Sequence, residues 1–201
     1  MFAKRLFDFT FSLVVLILFI PVFCIISLLI KFKMPGPVFF SQVRIGQHGT
    51  HFMMYKFRTM TVDHKGNSIS VKGETRVTKL GAILRNYKLD ELPELFNIIK
   101  GEMSLVGPRP DVPGYADKLT GDDRLILELK PGLTGPASIK YYNEEELMAN
   151  QADPKSYNDA EIFPDKVRIN LNYYQHRNFF LDLKIILYTI IRKKLSEPYF
   201  N

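Results

Sequence analysis

The sequence predicts an α+β fold, mostly helical with a small sheet, behind a long apolar N-terminal helix. Three observations predict it. Leu6 to Ile30 is apolar apart from Asp8 and a few hydroxyl residues. The stretch from Val38 to Arg58 alternates apolar and polar residues around a glycine-bearing turn. Several later segments repeat apolar residues at helical spacing. With 201 residues, 46% hydrophobic and 24% charged, the chain can bury a core, which argues against disorder.

The N-terminal run is long enough to cross a bilayer at about 1.5 Å per residue. It exceeds the apolar core of a secretory signal, and "KFKMPGPVFF" follows it without a small-residue cleavage site. Pro21 near its middle removes a helical hydrogen bond. Basic residues flank both ends, Lys4 and Arg5 before, Lys31 and Lys33 after. The positive-inside rule then favours one face for both ends, as in a re-entrant helix; a spanning helix with a tolerated proline is the alternative. The single cysteine, Cys24, excludes an intrachain disulfide and is expected as a small buried hydrophobe.

Beyond Lys33 the texture is that of an α/β or α+β domain. Val38 to Gln42 and His51 to Arg58 are predicted strands around a turn at Gly46 to Gly49. "TVDHKGNSISVKGET" is a polar loop. "TKLGAILRNYK" places Leu80, Ile83, Leu84 and Tyr87 at helical spacing. "LDELPELFNIIKG" begins a second helix with Asp90 as expected N-cap and Gly101 as its end. "MSLVGPRPDVPGY" is a tight proline-rich loop, and "LELKPGLTGPASI" is turn-rich, with a short helix before and a strand after. Tyr142 to Asp165 is acidic and polar, a surface helix and loop. The tail "NFFLDLKIILYTIIRKKL" is helical, suited either to a membrane interface or to a buried core.

The net charge of +6 and pI near 9.3 point to anionic partners. The apolar N-terminus and the lack of any recognised nucleic-acid motif exclude nucleic acid. His48, His51, His64 and His176 show no ligand pairing, so a structural zinc site is not expected. Lys56 and Arg58, at i and i+2 in "YKFRTM", and Arg109, in the stiff "VGPRP" loop, are candidate phosphate donors. Solvated surface cations are the plainer reading. Asp90 and Glu91 are adjacent acids after a basic stretch. One carboxylate can attack phosphorus and another can bind Mg2+, while capping and dipole complementation explain first-turn acids as well.

Six segments, "KRLFDFTFSLVVLILFIPV", "GPVFFSQVRIG", "YKFRTM", "KLDELPELFNIIKGEMSLVGPRP", "KPGLTG" and "FFLDLKIILYTI", are spread in order along nearly the whole chain. Together they resemble the small monotopic phosphoglycosyl transferases of bacteria. The resemblance implies transfer of a sugar 1-phosphate from a UDP-sugar to undecaprenyl phosphate, with Mg2+, releasing UMP. This is the first membrane step of exopolysaccharide, O-antigen, capsule or glycoprotein glycan assembly. It implies Asp90 as the nucleophile that takes up the phosphosugar and Glu91 as its partner, with both at the metal. Lys56, Arg85 and Arg109 match the family's basic residues near the phosphates, Arg58 lies beside them, and Gly107, Pro108 and Pro110 form the nucleotide-side loop.

The resemblance also implies a re-entrant helix over 1–33, kinked at Pro21, and a catalytic domain over 34–201 with an interfacial C-terminal helix. Such a protein is monotopic, on the cytoplasmic face of the bacterial inner membrane, in contact with phospholipids. The family's Ser-Pro kink is Ile20-Pro21 here, so the break rests on Pro21 alone. The polar stretch near Tyr141 to Tyr157 is expected to form part of the sugar-reading surface. The sugar and the oligomeric state stay open, a homodimer among the options. A catalytically silent membrane-attached scaffold for glycan-assembly enzymes is the alternative function.

Overall fold

The computed structural model describes residues 2–62 and 76–191. His64, most of the predicted polar loop and the basic cluster at Arg192, Lys193 and Lys194 lie outside the described residues. Two helices, α1 (Phe2–Leu18) and α2 (Ile20–Lys33), open the chain. They meet at 62°. Pro21 lies in the first turn of α2, where its missing N–H and its ring forbid continuation of α1, so the bend falls where the sequence places it. No single described helix is long and apolar enough to cross a membrane, but the bent pair passes that test together.

An antiparallel hairpin follows, β1 (Phe39–Ile45) and β2 (His51–Phe57), in register from Phe39 opposite Phe57 to Ile45 opposite His51. A 3-10 turn at Gln47–Gly49 joins them. Helix α3 (Lys79–Asn86) is capped by the Thr78 hydroxyl, which accepts from the Gly81 amide at 2.9 Å. Its inward face holds Leu84, with Leu80 packed alongside, whereas Ile83 and Tyr87, expected on that face, point outward. A 3-10 turn at Leu89–Glu91 then leads into α4 (Glu94–Lys100), which ends at left-handed Gly101. Asp90 is therefore not an N-cap: it sits inside the tight turn, and Pro93 occupies the position before α4 without a side-chain cap.

Strands β3 (Ser104–Val106) and β4 (Gly132–Thr134) pair in parallel. In "LELKPGLTGPASI" the strand thus lies inside the segment, and a short helix, α5 (Pro136–Lys140), follows it. The acidic stretch folds as α6 (Glu144–Ala149) and α7 (Pro154–Tyr157), then a π-helical turn, before α8 (Phe163–His176). The tail is α9 (Phe179–Ile190). One face of it is core, as one of the two readings expected. Leu181 and Ile185 are buried in the main core, while Phe180, Leu187 and Ile190 are exposed.

The main core joins Phe52 and Met54 of β2, Leu95 and Ile98 of α4, Leu105 and Val106 of β3, Ile169 and Tyr173 of α8, and Ile185 of α9. A second core packs Ile26 and Ile30 of α2 against Phe57 and Leu84. Cys24, expected to be buried, is exposed on the outward side of α2 because the inward stripe belongs to Ile26 and Ile30. Polar ties fix both ends of the bent pair to one body. At one end Lys4 Nζ donates to Asp182 at 2.5 Å, and the Arg5 guanidinium donates to the carbonyls of Ile98 and Ile99. In the middle of α1, buried Asp8 accepts from the Ser104 hydroxyl. At the other end Arg58 donates to the carbonyls of Met34 and Pro35, closing the C-terminus of α2 where a cation also suits the helix dipole.

Glycine sets how closely β3 and β4 approach. A methyl at Gly107 would lie 2.2 Å from the Lys130 carbonyl oxygen, and one at Gly132 would lie 2.1 Å from the Gly107 nitrogen. Backbone cannot yield as a side-chain tip can. Gly132→Ala is therefore expected to cost more than about 3 kcal/mol or to prevent folding. Gly121→Ala meets nothing within 4 Å and should cost only about 1 kcal/mol for its left-handed backbone. Denaturant unfolding of both variants checks the contrast.

Candidate active site

The turn at Leu89–Glu91 projects adjacent carboxylates into the protein, and both Asp90 and Glu91 are buried. Lys88, just before it, has φ of 56°, a left-handed conformation that costs a non-glycine residue energy. Strand β2 brings Lys56, α3 brings Arg85, and the loop after β3 brings Arg109 to the same place. Lys56 Nζ lies 3.0 Å from Glu91 Oε1 and 3.1 Å from Glu94 Oε1. Arg109 Nη2 donates to the same Glu91 oxygen at 2.5 Å. The Lys56–Glu94 contact is close enough for an ion pair but off-angle for a hydrogen bond, since Glu94 Oε1 is a buried oxygen without one.

The electrostatics separate the three acids. Burial alone would raise Glu91, but Arg109 and then Lys56 overcome it and hold its carboxyl well below the ordinary range. Glu94, 1% exposed, goes the other way, raised by burial with Glu91 adding to it. Asp90 is raised by burial and then by Glu91, with Lys56, Arg85 and Lys88 opposing. Its Oδ1 is buried and accepts no hydrogen bond among the described residues. Glu91 is therefore a clamped anion, whereas Asp90 presents an oxygen that no described residue bonds. A buried acceptor left bare costs about 1–3 kcal/mol, and such a group is a candidate for contact with a ligand.

The structure thus brings together Asp90, Glu91, Lys56, Arg85 and Arg109. Arg58 does not join them. Strand β2 ends at Phe57, and the Arg58 guanidinium, 6% exposed, is held by the end of α2 as described above. Gly107, Pro108 and Pro110 act through their backbone. Gly107 donates to Thr134 and Pro108 accepts from Gly132, while Pro110 accepts from Arg44, which together seat the Arg109 loop.

Sequence reasoning missed other members. Glu94 was visible as a third acid in "LDELPEL", one helical turn from Asp90. Arg44, Asp111, Glu144 and Glu145 carried no local signal, since only the fold assembles them. Arg85 Nη1 reaches Glu145 at 3.2 Å, and Lys166 Nζ is gripped by both Glu144 oxygens at 2.7 and 2.6 Å. The acidic first turn of α6 therefore borders the site. Burial lowers Arg44 to about 10, with Arg109 contributing, and pushes Asp111 up to about 6 against the pull of Lys166 and Arg44.

No group of three or more His, Cys, Asp or Glu side chains converges as a metal cage among the described residues. The donors at the dyad still suit a hard cation that needs few protein ligands. Asp90 Oδ1 is bare, the neighbouring carboxylate is ionised, and Mg2+ commonly takes one or two carboxylates plus phosphate and water oxygens.

The description "Bacterial sugar transferase" fits a family whose pattern matches residues 1–194. The uncharacterized sugar transferase EpsL of Bacillus subtilis is 36% identical over 98% of this chain and 90% of its own length. The UDP-glucose:undecaprenyl-phosphate glucose-1-phosphate transferase of Klebsiella pneumoniae is also 36% identical, over 98% of this chain but 41% of its own. The UDP-N-acetylgalactosamine-undecaprenyl-phosphate N-acetylgalactosaminephosphotransferase of Aeromonas hydrophila is 32% identical over 94% of this chain and 43% of its own. This chain thus spans about two fifths of the length of these last two relatives.

The Asp111 carboxyl gives a stability test. Its folded value of about 6 exceeds the ordinary 3.8, so the unfolded chain releases this proton first. The favourable contribution is complete below pH 3.8 and is lost as pH rises through about 6. Asp111→Asn is therefore expected to raise Tm at pH 7.5, with the gain shrinking toward zero below about pH 4. Thermal melts of both proteins across that range check it.

Proposed function

Because the chain belongs to the bacterial sugar transferase family, we propose that it moves a sugar 1-phosphate from a UDP-sugar to undecaprenyl phosphate, through a covalent aspartyl-phosphosugar, with release of UMP. The observation that carries the mechanism is the bare, buried Asp90 Oδ1 beside a Glu91 held by Lys56 and Arg109. The activities named for the Klebsiella and Aeromonas relatives support the substrate class.

Asp90 attacks the phosphorus that bears the sugar, forming an acyl-phosphate bond as the bond to the UMP oxygen breaks. UMP leaves with that electron pair. A phosphate oxygen of the lipid then attacks the same phosphorus and displaces the Asp90 carboxylate, which is regenerated. Arg109 and Arg85 face the diphosphate and stabilise charge that develops on its oxygens. Lys56 balances Glu91 and Glu94, so the pocket can hold an ionised Asp90 among other acids. Asp90 and Glu91 would hold Mg2+, which would supply further neutralisation of charge on the diphosphate.

The bent α1–α2 pair supports a re-entrant, monotopic attachment to the cytoplasmic face of the inner membrane. Its two ends are bonded to one globular body, through Lys4 and Arg5 on one side and Met34 and Pro35 on the other. Its middle exposes Val14, Ile17, Leu18, Ile20 and Ile25 to the surroundings, which suits acyl chains of phospholipids. A site beside this wedge meets a soluble nucleotide sugar and a lipid phosphate at head-group depth.

Purified protein in nanodiscs with Mg2+, undecaprenyl phosphate and a panel of UDP-sugars is expected to release UMP with at least one sugar. Asp90→Asn is expected to release none. Undiminished release by that variant would remove Asp90 from the nucleophile's role, and silence of the wild type across the panel would favour a scaffold. In a Cys24→Ala background, single cysteines at Phe2 and Lys33 should both react with an impermeant maleimide from the cytoplasmic side only. Labelling from opposite faces would replace re-entry with a span.

A further inference from the structure

Asp111 is a carboxylate with cations around it and no hydrogen bond to any of them. It is partly buried, at the end of the loop that carries Arg109, and its main-chain oxygen accepts from the Ile45 amide at 2.9 Å. Arg44, Arg109 and Lys166 are near enough to act on its charge, as is Glu144. Each cation is turned elsewhere. Arg44 donates to the Pro110 carbonyl and to Gln42 Oε1, Arg109 donates to Glu91, and Lys166 is taken by both oxygens of Glu144. Arg44 Nε, also buried, has no hydrogen-bond partner among the described residues. No described residue donates to the Asp111 side chain.

This arrangement selects a ligand chemistry. The surrounding charge is already balanced, so a cation is not required. A phosphate would meet a carboxylate and be repelled. What fits is a neutral donor, and a pair of ring hydroxyls can engage both oxygens of one carboxylate. Glu144, in the first turn of α6, also acts on this carboxylate, and the Tyr141 ring, just past α5, lies 5.8 Å from Lys166 Nζ.

We infer that Asp111 accepts hydrogen bonds from ring hydroxyls of the bound nucleotide sugar and is a specificity-determining residue of this enzyme. The inference rests on the nucleotide-sugar reading above. Its chemistry is a polyol, which the substrate offers twice, on the transferred sugar and on the ribose. A carboxylate built to meet hydroxyls discriminates strongly between stereoisomers, because the wrong isomer leaves it bare.

The test is calorimetric binding of UMP, UDP-glucose, UDP-galactose and UDP-N-acetylgalactosamine to the full chain carrying Asp90→Asn, which keeps substrate unreacted, with and without Asp111→Asn. If the sugar is read, the preferred UDP-sugar loses roughly ten- to hundredfold in affinity, the ranking of sugars flattens, and UMP binds as before. If the ribose is read, UMP and all UDP-sugars weaken by one common factor while the titration stoichiometry holds. Either result supports the inference and assigns the source. Unchanged affinities and ranking overturn it while leaving the proposed function standing. Failure of any nucleotide to bind the Asp90→Asn protein, with wild type also silent, overturns both. A variant that loses stoichiometry together with its melting transition is replaced by Asp111→Ser, which keeps a neutral acceptor and carries the same expectations.

Discussion

The convergence of Lys56 and Arg109 on a single oxygen of Glu91 is what allows the rest of the site to exist. Adjacent carboxylates in one buried turn repel each other, and burial penalises both. By fixing Glu91 as the ionised member, the two cations place the unbalanced acid at Asp90. They also tie three remote segments together: β2 through Lys56, the dyad turn itself, and the loop after β3 through Arg109. Remove either cation and the penalty for a buried, poorly paired charge, several kcal/mol, falls on the turn that presents Asp90.

That convergence needs a scaffold that holds the loop and the turn at a fixed separation. The tight backbone approach of Gly107 to Gly132 seats the loop from beneath. Asn97 seats the turn's own helix, accepting from the Tyr55 amide and donating to the Met53 carbonyl, so α4 is bonded to the strand that carries Lys56. The bent α1–α2 pair is joined to the same framework. Lys4 reaches Asp182, which also accepts from the Tyr173 hydroxyl, and Ser104 of β3 reaches Asp8. The seating of the bent helix pair and the geometry at the dyad are thus set by one continuous set of contacts.

The local parts of this were legible in the sequence because their causes are local. Alternation and a glycine turn gave the hairpin, apolar spacing gave α3, Gly101 ended α4, and Pro21 broke the first helix. Asp90 misled as a cap because its residue type suits an N-cap while Pro93 two residues beyond Glu91 shifted the helix start. Lys56 and Arg58 looked equivalent two residues apart, yet the strand ended between them and Arg58 turned to the carbonyls of α2. Arg44, Asp111 and the α6 acids were illegible for a different reason. Their significance lies in contacts between segments tens of residues apart, and no periodicity or motif encodes such a meeting.

Lys88 shows what the site costs the chain. It holds a left-handed backbone that glycine would occupy without steric penalty, and relaxing it is worth about 1 kcal/mol. Glycine would also delete a cation that moderates both Asp90 and Glu91. The position is a compromise in which conformational ease is surrendered for field strength. A stabilised descendant of this protein found by screening for heat resistance alone would be drawn to glycine there, and would carry a weaker electrostatic environment at Asp90.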